Sequence, residues 1–398
     1  MAAIYFSLCV ILGIASTING RPRTEDERVM IDEFLPALLD RLQNNPEYAF
    51  LLDSDSPPRS NRQQNSPVQQ QENWPQNNLK LGQVAGVAVD NNGDVLVFHR
   101  GDRAWGARSF DYNNELSQVE QNKGPIRNAT ILRLNKNGTV IQRLGANRLI
   151  ENMLRKICIR RADVFHAPWI DCRQKGNLWV TDVGLHQVIK IPVDPTDAGL
   201  VLGEAMKPGS DNEHFCKPTD VAVASNGHFF VSDGYCNGRI MKFTKDGMLI
   251  KTWGKPTNNP VEFSADDELF IPHSITLIEE SNLVAVADRE HGRIQLFTAG
   301  ITDPNDTGRF VKSISNSRFG KVFAISYDPT DKMLYVVNGP TGSNKVEGFT
   351  VDLDGKIRDT WTPRNMNFDE PHDVAVSPDG HQVYVAEIRP NRITKFNK

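Results

Sequence analysis

Six copies of one strand–turn–strand pattern, repeated at roughly fifty-residue spacing after a wider first gap, predict an all-β chain folded as a six-bladed β-propeller. The clearest copy is HFCKPTDVAVASNGHFFVSDGYCNGRI, from His214 to Ile240. Val221, Ala222 and Val223 form a short apolar run, Asn226-Gly227 is a hairpin pair, Phe229, Phe230 and Val231 make the next strand, and Asp233-Gly234 breaks it. The other copies open at Val84, Phe165, Pro272, Val322 and Pro371. Aligning their apolar runs puts Ala85, His166, Thr219, His273, Phe323 and His372 at one repeat position.

The chain has 398 residues, a net charge of −4 and 39% hydrophobic residues, which is ordinary globular chemistry and does not suggest a nucleic-acid partner. Residues 1–20 read as a signal peptide, because the apolar stretch Ile4 to Ser16 is too short to span a membrane and ends in small residues. A secreted or secretory-lumen protein without a membrane span follows as the expectation, with no C-terminal anchor because the last repeat ends with the chain. Residues 21–78 read as an extension: an amphipathic helix carrying Val29, Met30, Phe34, Leu38, Leu39 and Leu42, bent near Pro36, then a disordered linker from Asp53 to Asn78 rich in Ser, Pro, Gln and Asn. The propeller is expected over residues 79–398. Gly106 to Arg127 reads as a polar loop, and Arg148 to Arg161 as a basic, helical insertion between blades.

Once Cys9 leaves with the signal, Cys158, Cys172, Cys216 and Cys236 remain, an even number that favours pairing in an oxidising compartment. Cys216 and Cys236 bracket one hairpin whose geometry brings them together, which leaves Cys158 and Cys172 as the residual pair. Asn128, Asn137 and Asn305 each open a glycosylation triplet.

The repeat register carries the chemistry. Equivalent positions of successive blades ring the propeller axis, so His166, His273 and His372, from repeats two, four and six, converge with near-threefold symmetry. Three imidazoles with one open position suit a catalytic zinc site. The remaining histidines lack that register and read as loop or supporting residues. Just past the second strand of their repeats stand Arg100, Tyr235 and Arg289, expected at one mouth of the channel. Guanidiniums recognise a carboxylate bidentately, and a cation beside a phenol favours the form that acts as a base. Arg100-Gly101-Asp102 also spells an adhesion tripeptide.

The segments GQVAGVAVD, VFHRGDRAW, GNLWVTDVGLHQVIK, MKPGSDNEHFCKPTDVAV, VSDGYCNGRI, PHSITL, ADREHGRIQ, FGKVFAISY and PHDVAV together resemble peptidyl-α-hydroxyglycine α-amidating lyase, a propeller family of NHL-like repeats. The resemblance runs from Leu79 to Lys398. It implies a stand-alone lyase that cleaves a peptidyl-α-hydroxyglycine, made by a separate hydroxylating monooxygenase, to the peptide amide and glyoxylate. It implies zinc on His166, His273 and His372; substrate and catalytic roles for Arg100, Tyr235 and Arg289; and a structural calcium at Val87, Pro168 and Asp373. The two non-acidic calcium positions would contribute backbone carbonyls. It also matches Cys216–Cys236 to a family disulfide, and places Ala285 and Leu296 where vertebrate members hold a second one. The sequence departs most from the family over Arg148 to Cys172. A monomer is expected. Two other readings compete: a secreted lactonase-like hydrolase, whose metal sites favour Asp, Asn and Glu, and a non-catalytic protein-binding propeller.

Overall fold

The computed structural model describes residues 66–76, 79–106, 108–124, 126, 129–144, 169–171 (backbone only), 177–192, 199–258, 265–342, 344–364 and 366–398. All of them belong to one compact unit, Gln63–Lys398.

Six four-stranded antiparallel sheets form the blades. Blade 1 is Val84–Val89, Val95–His99, Ile131–Leu134 and Val140–Leu144. Blade 2 is Trp169–Asp171, Leu178–Asp182, Gln187–Ile191 and Leu200–Leu202. Blade 3 is Asp220–Val223, Phe229–Asp233, Arg239–Phe243 and Leu249–Trp253. Blade 4 is Pro272–Ile278, Leu283–Asp288, Arg293–Ala299 and Thr307–Ser315. Blade 5 is Lys321–Asp328, Met333–Gly339, Gly348–Asp352 and Ile357–Trp361. Blade 6 is Glu370–Val376, Gln382–Arg389, Arg392–Asn397 and, as its outer strand, Gln69–Gln70.

The first strand of each blade touches the first strands of both neighbours, so these six close the ring. They read as short apolar runs because both faces are covered, whereas outer strands such as Thr307–Ser315 alternate buried and exposed. The core is distributed: one apolar cluster fills each of the six seams between adjacent blades, and each draws on both.

The Asn-Gly pairs behave as turn residues. Gly227 has φ +87° and Gly138 has φ +83°, where a Cβ is strained. At Gly138 an added Cβ would also lie 2.7 Å from the Pro75 Cα, so this turn must be bare for the N-terminal strap to pass over it.

That strap corrects the sequence reading, which ended a disordered linker at Asn78. Gln69 and Gln70 pair with Asn397 and Phe396, so a segment from the start of the chain completes the last blade. Val68 is buried in the seam between blades 5 and 6, and Trp74 in the seam between blades 6 and 1. The polar composition around them hid two apolar anchors. The loop over 106–127 is also more ordered than its polarity suggests. It holds a short helix, Gln118–Lys123, whose Ser117 side chain accepts the Glu120 N–H. Phe110 and Leu116 from this loop pack on Leu185 and Met206 of the next connection. The signal segment, the amphipathic extension and the Arg148–Arg161 insertion lie outside the described residues.

Trp74 stacks on Tyr384 at 5.1 Å, and its indole N–H donates to the Lys136 carbonyl at 3.2 Å. Trp74→Ala is therefore expected to cost about 3 kcal/mol or more in denaturant unfolding, the range for a large aromatic lost from a core. A loss under about 0.5 kcal/mol, as for a surface change, would show that the strap is dispensable.

Candidate active site

A buried acceptor at the end of the second strand pins the approach to the ring position in four blades. Each accepts the backbone N–H three residues before that position. Asp233 takes the Cys216 N–H at 2.8 Å, Asp288 the Phe270 N–H at 2.7 Å and Glu387 the Asp369 N–H at 3.0 Å. In blade 1 the His99 Nδ1 does the same for the Gly82 N–H at 3.3 Å.

At the ring position itself, the imidazoles are oriented by the neighbouring blade. His273 Nδ1–H donates to the Phe323 carbonyl at 2.7 Å, and His372 Nδ1–H to the Ala85 carbonyl at 2.9 Å. Phe323 and Ala85 are the ring residues of the next blades. This fixes the tautomer: with Nδ1 donating, each Nε2 carries a lone pair. The two rings lie 4.9 Å apart. Burial, then the Arg289 charge, holds His273 well below the ordinary imidazole range, and burial, then the Arg100 charge, lowers His372 to about 3. Both are neutral at physiological pH, the form that ligates a metal.

The sequence placed Arg100, Tyr235 and Arg289 at the same mouth, and the structure gathers them around these histidines. Tyr235 Oη donates to His273 Nε2 at 2.9 Å. The Arg289 guanidinium lies 5.5 Å from the Tyr235 ring and 5.0 Å from the Phe323 ring, and Phe323 packs against both imidazoles. Arg100 is 3% exposed, and burial pushes its guanidinium down to about 10, still charged, with Tyr235 the strongest influence opposing that shift. Its burial also takes the arginine of the adhesion tripeptide off the surface, while Asp102 stays exposed.

Partners of these groups were not visible in the sequence. Arg289 is held by Glu290 (Nη2 to Oε1, 2.8 Å), which also pairs with Lys321 at 2.7 Å. Arg100 Nη1 donates to Gln83 Oε1 at 2.8 Å, and its guanidinium lies 5.0 Å from the Trp105 ring. No repeat position marks Gln83, Trp105 or Glu290.

The sulfurs of Cys216 and Cys236 lie at bonding distance with Cα atoms 5.5 Å apart, and they brace the loop that carries Tyr235. Ala285 and Leu296 are direct cross-strand partners, both fully buried, so close packing stands where a second disulfide would fit. Asp373 points away from the His372 ring. Its Oδ2 accepts the Val87 N–H from blade 1 at 2.7 Å, and Asp220 in blade 3 treats the Ile275 N–H of blade 4 in the same way at 2.7 Å. A cavity of about 350 Å³ farther along the inner strands is lined by Asp220, Asp373, Glu279, Glu280 and Tyr327. None of the residues gathered around Tyr235 lines it. The other histidines are structural: His99 accepts from backbone, His186 accepts the Lys217 N–H, and His291 and His214 pair with Asp288 and Asp211. Asn137 and Asn305 are exposed. His166, Pro168, Cys158, Cys172 and Asn128 lie outside the described residues.

Residues 215–243 match the NHL repeat. The chain is 37% identical over 319 residues to a probable peptidyl-alpha-hydroxyglycine alpha-amidating lyase of Caenorhabditis elegans, covering 80% of this chain and 83% of that protein. The chain belongs to the peptidyl-α-hydroxyglycine α-amidating lyase family. It is also 42% identical over 337 residues to peptidyl-glycine alpha-amidating monooxygenase B of Xenopus laevis, covering 83% of this chain but only 35% of that longer protein. Among solved structures, a Bacteroides thetaiotaomicron protein of unknown function aligns with a TM-score of 0.51 at 14% identity, over 81% of this chain and 70% of its own, a likeness of fold alone.

The depressed His372 value sets a pH dependence. The unfolded imidazole titrates near 6.5 and the folded one near 3, so between them the unfolded state binds more protons. The contribution is complete above 6.5 and is lost as pH falls toward 3, and His273 acts in the same direction. Metal-free protein is expected to show a urea midpoint that drops steadily across that window. A level midpoint would contradict neutral burial of these rings.

Proposed function

We propose that this protein cleaves peptidyl-α-hydroxyglycines to the C-terminal peptide amide and glyoxylate, acting as a monomer in the secretory lumen on substrates supplied by a separate hydroxylating monooxygenase. The observation that carries this reading is the gathering of Tyr235, Arg100 and Arg289 around the neighbouring imidazoles of His273 and His372. Family membership supports it.

These residues fit a zinc ion. Both described imidazoles are neutral, tautomerically fixed and 4.9 Å apart, and the repeat register makes His166 the third ligand. When bound, zinc supplies Lewis-acid polarisation of a hydroxyl oxygen. Everything else belongs to side chains. The substrate carboxylate and the charge that develops on cleavage face two guanidiniums. Tyr235 Oη, which donates to His273 Nε2 here, would give up that bond where the nitrogen holds a metal, and as the phenolate it would take the hydroxyl proton. The hydroxyl C–O becomes the glyoxylate C=O as the C–N bond breaks, and the amide nitrogen recovers a proton, so atoms and charge balance. Buried, partner-held donors need little reorganisation during this step.

Calcium on Asp373 with the Val87 and Pro168 carbonyls is part of the same reading, as are the disulfide pairs Cys216–Cys236 and Cys158–Cys172 and glycans on Asn128, Asn137 and Asn305. The calcium would add to the Val87–Asp373 hydrogen bond that already ties blade 6 to blade 1.

Purified protein is expected to release glyoxylate from a synthetic peptidyl-α-hydroxyglycine, to lose that activity on chelation and to regain it with zinc. Tyr235→Phe should keep its melting temperature and lose about 10²-fold or more in turnover, as for removal of a general base; near-parental turnover would exclude Tyr235 as the base. Asp373→Asn should melt earlier than the parent and no longer respond to added calcium. A parent whose melting ignores both calcium and its chelator has no such site.

A further inference from the structure

Building on the lyase reading, we propose that Gln83 is the positioning residue for Arg100: its neutral amide fixes the guanidinium without cancelling its charge, which stays available to the anionic end of the substrate.

Gln83 grips Arg100 twice. Its side-chain Oε1 accepts from Arg100 Nη1 at 2.8 Å, and its backbone carbonyl accepts the Arg100 N–H at 3.0 Å. The same Oε1 accepts the Trp105 N–H at 2.9 Å, so one oxygen sets both the cation and the ring beside it. Among the described residues Arg100 forms no ion pair, and its buried Nε has no hydrogen-bond partner.

The contrast with other buried arginines is the argument. Arg239 is paired to Asp233 at 2.9 Å, Arg293 to Asp288 at 2.8 Å, and the half-buried Arg392 to Glu387. Each closes the end of its own blade, and each has a carboxylate. Arg289 at the mouth has Glu290. Only at Arg100, among these, does the fold supply an amide. The nearby carboxylates are occupied: Glu370 pairs with Arg389 at 2.6 Å, and Asp182 accepts the Gly184 and Leu185 N–H groups. Tyr235, His372 and His273 are the other titratable groups facing it. A buried cation without a counter-ion is costly unless something pairs with it, and here the pairing partner arrives with the substrate.

Gln83→Glu separates this role from a structural one. Glutamate keeps an oxygen for both Arg100 and the Trp105 N–H, and a charge-assisted bond is stronger, so a purely structural Gln83 would tolerate the change. The expected result is a melting temperature equal to or above the parent's. Glyoxylate release and affinity for unreactive peptidyl-glycine should each fall about tenfold or more, the scale of one hydrogen bond to a charged group. The peptide amide, which lacks the carboxylate, should compete as well as with the parent. Folded Gln83→Glu protein with parental turnover and parental peptidyl-glycine affinity overturns the inference. Gln83→Met, which removes the acceptor at similar volume, is the second arm; it should also lose turnover, and a parental rate there overturns the inference even if the glutamate variant does not fold. A parent that binds peptidyl-glycine through Gln83 but releases no glyoxylate removes the lyase reading and leaves the positioning role standing.

Discussion

Buried side-chain acceptors at the ends of the second strands are what the rest of this site depends on. A loop entering a crowded axis cannot leave its N–H groups unpaired, because a buried, unsatisfied donor costs on the order of 1–3 kcal/mol. Asp233, Asp288 and Glu387 satisfy such donors in blades 3, 4 and 6, and His99 does so in blade 1. Three of the four sit just before a candidate site residue: Arg100 follows His99, Tyr235 follows Asp233 by two, and Arg289 follows Asp288. One bond thus fixes two things at once, the start of the inner strand and the departure of the functional loop.

A second layer of hydrogen bonds runs around the ring rather than along the blades. The imidazoles of blades 4 and 6 donate to ring carbonyls of blades 5 and 1, and Asp220 and Asp373 accept N–H groups from blades 4 and 1. The inner strands of blades 1, 4 and 5 thus each orient a side chain of the preceding blade. The imidazoles stay neutral because they are dry and face arginines, and Arg100 stays charged because its basicity starts so high. The result is lone pairs and positive charge in one place, a combination that suits an anion and opposes protonation of the imidazoles.

The blades, the ring position of His273 and His372, and the shared mouth of Arg100, Tyr235 and Arg289 were all legible in the sequence. Repetition made them so: a residue that recurs at one register position needs only the period to be placed in space. What repetition does not encode stayed hidden. Val68 and Trp74 sit among glutamines and asparagines, where composition argues for disorder, yet two apolar side chains suffice to dock a short strap on a groove already built. The helix Gln118–Lys123 carries its apolar contacts outside itself, on Phe110 and Leu116, so no amphipathic pattern announces it. Gln83, Trp105 and Glu290 act through side-chain contacts particular to one blade, and nothing in a single sequence distinguishes such a glutamine from a surface one.

The strap bears on chemistry as well as stability. A propeller is a sheet ring whose first and last blades must be joined by something other than chain continuity, and here that seam lies between blade 6, which carries His372, and blade 1, which carries Arg100. Beside the apolar cluster that fills it, the Val87–Asp373 hydrogen bond near the axis, the His372–Ala85 hydrogen bond at the ring and Trp74 packed against Tyr384 at the rim help to hold it. The seam that closes the fold is therefore also the seam across which one imidazole and one guanidinium must keep their spacing. Loosening it at the rim acts on both at once, so an enzyme of this design couples its closure directly to the alignment of its site.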